Sequence, residues 1–148
     1  MQVGEACSRS VVVVAPSTPV GEAAKLMREH HVGSLVVTDG DGARRPVGIV
    51  TDRDFVVEVL SAGVDYRTVS VGEIMAPRLI RATEDESSLE ALHRMRAHGI
   101  RRLPVVDAAG DLVGIVTLDD LLEIVAEELD DIVRAIGREQ SSEAAERR

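Results

Sequence analysis

Aromatic residues are almost missing from this chain of 148 residues: one Phe, one Tyr and no Trp, at Phe55 and Tyr66. The core must therefore be built from Val, Ile, Leu, Ala and Met, and there is no platform on which nucleic-acid bases could stack. Positive charge is also in deficit. Seventeen Lys and Arg stand against 26 Asp and Glu, a formal net charge of −9. An acidic surface repels a phosphate backbone, so nucleic acid is not an expected partner. Cys7 is the single cysteine, so no intramolecular disulfide can form. The longest early apolar run, Val11–Val14, is too short for a signal core or a membrane span. The expected location is the cytoplasm, with no membrane partner.

What is present is a repeat. At an offset of 68, residues 3–39 fall on 71–107 without a gap. Val3-Gly4-Glu5 meets Val71-Gly72-Glu73, Met27-Arg28 meets Met95-Arg96, and His30 meets His98. After Asp39 the first copy is two residues longer. At an offset of 66, Val47-Gly48-Ile49-Val50-Thr51 then meets Val113-Gly114-Ile115-Val116-Thr117, and Asp54 meets Asp120.

Each copy predicts the same elements. A short strand (Val11–Val14; Leu79–Ala82) precedes a helix in which Ala23, Leu26, Met27 and His30, then Leu89, Leu92, Met95 and Arg96, recur at helical spacing. Two further strands follow (Ser34–Thr38 and Val47–Thr51; Leu103–Val106 and Leu112–Thr117), with Asp39-Gly40-Asp41-Gly42 read as a hairpin turn. A last helix starts at Thr-x-x-Asp. The fold class is α/β in the α+β sense: two β-α-β-β-α units, each too small alone, which stacked sheet to sheet can bury one another's apolar strands. The boundaries read as unit 1 over 1–62, a linker over 63–70, unit 2 over 71–137 with a lengthened final helix, and a polar, frayed tail over 138–148. In that helix Leu122, Val125, Leu129, Ile132 and Ile136 form a heptad-like stripe suited to the protein's own body or a dimer mate, and Gly137 is a stop signal.

Catalytic chemistry finds no foothold. There is no nucleophile–base constellation and no Gly-x-x-x-x-Gly-Lys loop, so the chain is not read as an enzyme. The four histidines (His30, His31, His93 and His98) have no Cys partner and no zinc spacing, and no metal is expected.

The Val-Gly-Glu-Ile-Met opening at 71–75, His-Gly-Ile-Arg-Arg-Leu-Pro-Val-Val-Asp at 98–107 and the twice-used Gly-Ile-Val-Thr-x-x-Asp resemble the CBS domain, named after cystathionine β-synthase. The resemblance covers residue 3 to about 130, twice in order, as in a stand-alone tandem pair called a Bateman module. It implies clefts between the repeats that bind adenosine-containing ligands: AMP, ADP or ATP foremost, also S-adenosylmethionine or a dinucleotide. It further implies a homodimer and a regulated partner protein, unknown from sequence.

By that resemblance Asp54 and Asp120 grip the ribose hydroxyls as charge-assisted acceptors, and Thr51 and Thr117 donate to ribose or phosphate. One cleft is expected to join Val12, Val14, Thr51, Arg53 and Asp54 to Arg101 and Arg102 of the second copy, the stronger nucleotide site. The other joins Ile80, Ala82, Thr117 and Asp120 to Gly33 and Ser34, with little for a phosphate. Gly48 and Gly114 leave room for close approach by backbone or ligand. Thr-x-x-Asp is equally an ordinary helix cap, and Arg101–Arg102 an ordinary surface pair. Both readings stand at this point. The alternative function is a structural dimerisation module with no physiological nucleotide. No cofactor is required in either case.

Overall fold

The computed structural model describes residues 1–39 and 44–147. Of the expected hairpin turn, Gly40, Asp41 and Gly42 lie outside the described residues. Repeat one holds β1 (Val13–Val14), α2 (Val20–His30), β2 (Ser34–Thr38) and β3 (Pro46–Thr51). It ends in a short helix, α3 (Asp52–Asp54), that runs on as a π-helical stretch (Phe55–Leu60). Repeat two holds β4 (Ala82–Thr83), α5 (Ser88–His98), β5 (Arg102–Val106), β6 (Leu112–Thr117) and α6 (Leu118–Glu146). A four-residue helix opens each repeat, α1 (Val3–Ala6) and α4 (Val71–Ile74). The β-α-β-β-α order expected for each copy is the one observed, behind that opening turn.

Each sheet has three strands, ordered β1-β2-β3 and β4-β5-β6. The first two strands run parallel and the last two antiparallel, with Ser34 opposite Thr51 and Arg102 opposite Thr117. Both hairpins shift register at the same place, between Val37 and Thr38 and between Val105 and Val106. The edge strands β1 and β4 are shorter than the apolar runs that announce them and lie toward their C-terminal ends.

Burial follows strand alternation. Leu35, Val37 and Val50 face the core of repeat one with Ala23 and Met27; Leu103, Val105 and Val116 face that of repeat two with Ala91 and Met95. Val36 and Pro104, at equivalent positions, are fully buried yet belong to neither helix-covered core. They lie on the face through which the two sheets pack. The helical spacing in α5 misplaces two residues: Leu89 and Arg96 are exposed, and Ala91 takes the core position.

The opening helices are exchanged between the repeats. The Val3 and Gly4 amides donate to the Glu86 and Glu84 carbonyls, both at 2.8 Å, and Ser8 pairs with Ile115. Val3 and Cys7 are thereby core residues of repeat two. Reciprocally, the Val71 and Gly72 amides donate to Thr18 and Pro16, and Val71 sits in the core of repeat one. The two glycines of Gly-Ile-Val-Thr face these exchanged segments. A Cβ on Gly114 would lie 2.6 Å from the Ser8 carbonyl oxygen; one on Gly48 would lie 2.5 Å from Met75 Sδ. The close approach that these glycines permit is made by the protein's own chain.

The final helix corrects the expected boundary. α6 runs 29 residues, through Gly137 to Glu146, about 44 Å at the usual rise. Gly137 neither caps nor breaks it, and its carbonyl accepts from Ser141 Oγ at 3.0 Å. The last buried residue of α6 is Ile124, so the rest stands in solvent.

Candidate functional site

The two Thr-x-x-Asp segments are capping boxes. At α3 the Asp54 carboxylate accepts from the Thr51 amide (2.8 Å) and hydroxyl (3.2 Å), while Thr51 Oγ1 accepts from the Asp54 amide at 3.4 Å. At α6 the Asp120 carboxylate accepts from the Thr117 amide at 2.8 Å, and Thr117 Oγ1 accepts from the Asp120 amide at 3.1 Å. The capping reading is therefore realised in both repeats. It does not exhaust the carboxylates. Only Oδ2 of each is engaged, and Oδ1 has no hydrogen-bond partner among the described residues. Both aspartates are half-buried.

The structure separates the two arginines grouped by sequence. Arg102 reaches across to repeat one. The Cβ position of Gly33 lies 3.4 Å from Arg102 Nη2 and 3.2 Å from Asp52 Oδ2. The Asp52 amide donates to the Gly33 carbonyl at 3.0 Å, which fixes this loop against the start of α3. A cation of one repeat thus stands at the Thr-x-x-Asp helix start of the other. Arg101 instead stays with its own repeat. Its carbonyl accepts from the Leu118 amide at 2.8 Å, and its guanidinium faces Asp119 at 3.5 Å. Arg101 is thus at the start of α6, and Gly33 at the start of α3, each opposite to the cleft expected of it. Ser34 is paired with Thr51, again on the α3 side. Arg53 is exposed, and its amide donates to Asp52 Oδ1 at 2.9 Å.

Strand alternation also corrects the walls. The side chains of Val12 and Val14 turn into the core of repeat one, and those of Ile80 and Ala82 into that of repeat two. Their neighbours line the inter-repeat hollows. Val11 and Val13, with Arg9, Thr38, Arg44, Leu112 and Val113, bound a cavity of about 360 Å³. Arg81 and Thr83, with Arg45, Glu84, Asp85 and the Val106–Gly110 turn, bound one of about 510 Å³. Thr51, Asp54, Thr117 and Asp120 line neither.

Sequence reasoning missed two features. Asp52, inside the motif but not among its named positions, lies 3.2 Å from the Cβ position of Gly33, where Arg102 approaches repeat one. The Glu86 side chain is 8% exposed and accepts from Arg94 Nη1 at 2.6 Å, while its Oε1 is the one buried side-chain oxygen or nitrogen without a partner among the described residues. Neither has a signal in the repeat, because the equivalent of Glu86 in copy one is Thr18. No group of three or more metal-ligating side chains is found among the described residues. No helix among them is long and apolar enough to cross a membrane.

Two half-sized β-α-β-β-α units with exchanged openings, a shared sheet interface and paired Thr-x-x-Asp helix starts define a tandem-repeat module. The chain belongs to the CBS domain family, whose model matches residues 3–61 and 71–127. It is 40% identical over 84% of its length to the uncharacterized protein MK0525 of Methanopyrus kandleri, of which it spans 62%. It is 38% identical over 74% of its length to hypoxic response protein 1 of Mycobacterium tuberculosis, covering 79% of that protein. Among solved structures it is similar to a putative signal-transduction protein with CBS domains from Burkholderia ambifaria (31% identity, TM-score 0.76, covering 84% of this chain and 93% of that one). It is also similar to a hexameric CBS-CP12 protein from bloom-forming cyanobacteria (29% identity, TM-score 0.73, covering 92% and 86%). The tandem arrangement of two repeats expected from sequence is the one found.

Proposed function

We propose that this CBS pair is a regulatory, non-catalytic module that binds an adenine nucleotide at the start of α3 and reports occupancy through its shape to a partner protein. The observation that carries the reading is Arg102 of repeat two beside Gly33 and Asp52 of repeat one. The open Oδ1 of Asp54 supplies an acceptor for a ribose hydroxyl. The Thr51 hydroxyl supplies a second polar contact. Arg102, beside the N-terminus of α3, supplies charge for a phosphate. A ligand held by both would favour the arrangement in which the repeats converge there, which is how binding becomes a signal. The start of α6 is the poorer site in this reading, because Asp119 holds the guanidinium of Arg101.

Isothermal titration with AMP, ADP, ATP, S-adenosylmethionine and NAD, with GMP as control, tests the reading directly. Saturable binding of an adenosine compound is expected. Arg102→Ala should weaken AMP about tenfold or more while changing adenosine little, since a charge-assisted phosphate contact is worth roughly 1.5–3 kcal/mol. Arg101→Ala should leave both nearly unchanged. Asp54→Ala should weaken binding more than Asp120→Ala. Equal losses for the two arginines or the two aspartates would overturn the site. No binding of any compound by folded protein would hand the lead to the structural reading, in which Thr-x-x-Asp is only a cap.

A further inference from the structure

The two hollows at the hairpin end of the repeats differ in charge. The larger, of about 510 Å³, sets Arg45 and Arg81 among Glu84, Asp85 and Asp107. The smaller, of about 360 Å³, has Arg9 and Arg44 and no carboxylate among the described residues that line it. On a chain with a formal net charge of −9, this is a local excess of two positive charges. The one other polar side chain of the smaller hollow is Thr38. Its remaining walls are Val11 and Val13 of repeat one and Leu112 and Val113 of repeat two. Its volume lies in the range of small-molecule sites, roughly 300–1,000 Å³.

The fold holds both arginines at fixed points. Arg9 Nη2 donates to the Gly4 carbonyl at 3.0 Å, and Nη1 faces Glu84 at 3.8 Å. Both side chains of that long pair are open to water, where such contacts are weak, so the charge of Arg9 stays available to a ligand. The Arg44 carbonyl accepts from the Leu112 amide at 2.7 Å, which ties the entry of β3 to that of β6. Neither cation is a product of the duplication. The positions equivalent to Arg9 and Arg44 are Pro77 and Gly110, and the equivalent of Thr38 is Val106. The hollow also stands apart from both Thr-x-x-Asp starts. Leu112 begins β6 and Thr117 ends it, roughly 16 Å away at the usual strand rise. Thr38 ends β2, whereas Ser34 at its beginning is the residue opposite Thr51.

We infer that this hollow binds a small organic anion, a carboxylate or a phosphate monoester carried on an apolar body. Two guanidiniums and a hydroxyl suit the anionic group, since the planar fork of arginine matches carboxylate and phosphate oxygens. Four aliphatic side chains suit a body without hydroxyl groups. A nucleoside is a poor match, because ribose brings hydroxyl donors and Thr38 is the one lining side chain that can accept them. The anion touches both repeats at the end opposite to the start of α3. The inference is independent of the nucleotide reading.

Amide NMR of the full chain, titrated with phenyl phosphate and with benzoate, tests it. At least one of the two should move the Val11, Val13, Thr38, Leu112 and Val113 resonances saturably. Inorganic phosphate has the charge without the body, and benzyl alcohol the body without the charge. Each should bind at least tenfold more weakly. Arg44→Ala should weaken binding at least tenfold. Arg44 is exposed and meets Leu112 through its backbone carbonyl, so the substitution leaves the fold in place. Arg81→Ala, in the larger hollow, should change nothing. Saturable shifts confined to Thr51 and Asp54, or to Ala108–Gly110, would overturn the inference by placing the anion elsewhere. Inorganic phosphate binding as tightly as phenyl phosphate would reduce the hollow to bare charge and overturn it too. Equal losses for the two arginine variants, or no saturable shift with either probe, would do the same.

Discussion

Gly48 and Gly114 occupy the same place in the two copies of Gly-Ile-Val-Thr, yet their surroundings differ in stiffness. A methyl on Gly114 would meet the Ser8 carbonyl oxygen, part of a two-bond bridge to Ile115, and the Sγ of Cys7 at 2.7 Å. A methyl on Gly48 would meet the thioether of Met75, an unbranched side chain that can swing away. Gly114→Ala should therefore cost about 2–3 kcal/mol, at the upper end of overpacking. Gly48→Ala should cost about 1 kcal/mol or less. Urea denaturation of the two variants checks this, and a larger loss for Gly48→Ala would contradict the contact geometry. Burial of Cys7 beside Gly114 pushes its thiol pKa up, despite the nearby Arg9 guanidinium. The thiol is thus both covered and held protonated. The sequence showed that room was needed beside these glycines. It did not show what fills it, because the filling segment begins the opposite repeat.

The elements themselves were legible where period and punctuation agreed. β2, β3, β5 and β6 stand within one residue of the apolar runs that announce them, and both final helices begin after Thr51 and Thr117. The edge strands were less legible. Only two residues of each find a partner strand, so an apolar run of four overstates the ladder. The naming of Val12 and Val14 as cleft walls, where their side chains turn into the core, has a related cause. A continuous valine run carries no alternation from which to read its face. Gly137 shows the limit of a stop signal. Glycine lowers helix propensity by about 1 kcal/mol relative to alanine, a weak term that flanking helix formers can outweigh. Gly137 is helical with open space where a Cβ would stand. Gly137→Ala should consequently raise the stability of α6 by about 0.5–1 kcal/mol, seen as a higher helical signal by circular dichroism on mild heating. A fall in helicity would mean that the helix needs a bend or an ending there.

At the scale of the molecule, the exchange of α1 and α4 decides how the repeats behave together. A module of two self-contained halves could lose one and keep the other. Here repeat two draws Val3 and Cys7 from the far end of the chain, and repeat one draws Val71 from the start of repeat two. Each half completes its core with the other's opening turn, so the halves should unfold in a single transition. Cross-repeat placement of Arg102 at the start of α3 adds a polar link on the same interface. Such linkage means that an effect on either repeat is felt by both. The arrangement predicts an asymmetric response to truncation. Deleting residues 1–8 leaves repeat one's core residues intact but opens that of repeat two, with loss of the Val3 side chain and the Ser8–Ile115 bridge. Amide hydrogen exchange should then lose protection first in α5 (from Ser88), β5 and β6, far along the chain from the cut. A buried valine and its cavity alone should cost about 2 kcal/mol. If the deletion instead released β1–β3 and α2, the opening turn would belong to its own repeat, and the coupling would have to come from the sheet interface alone.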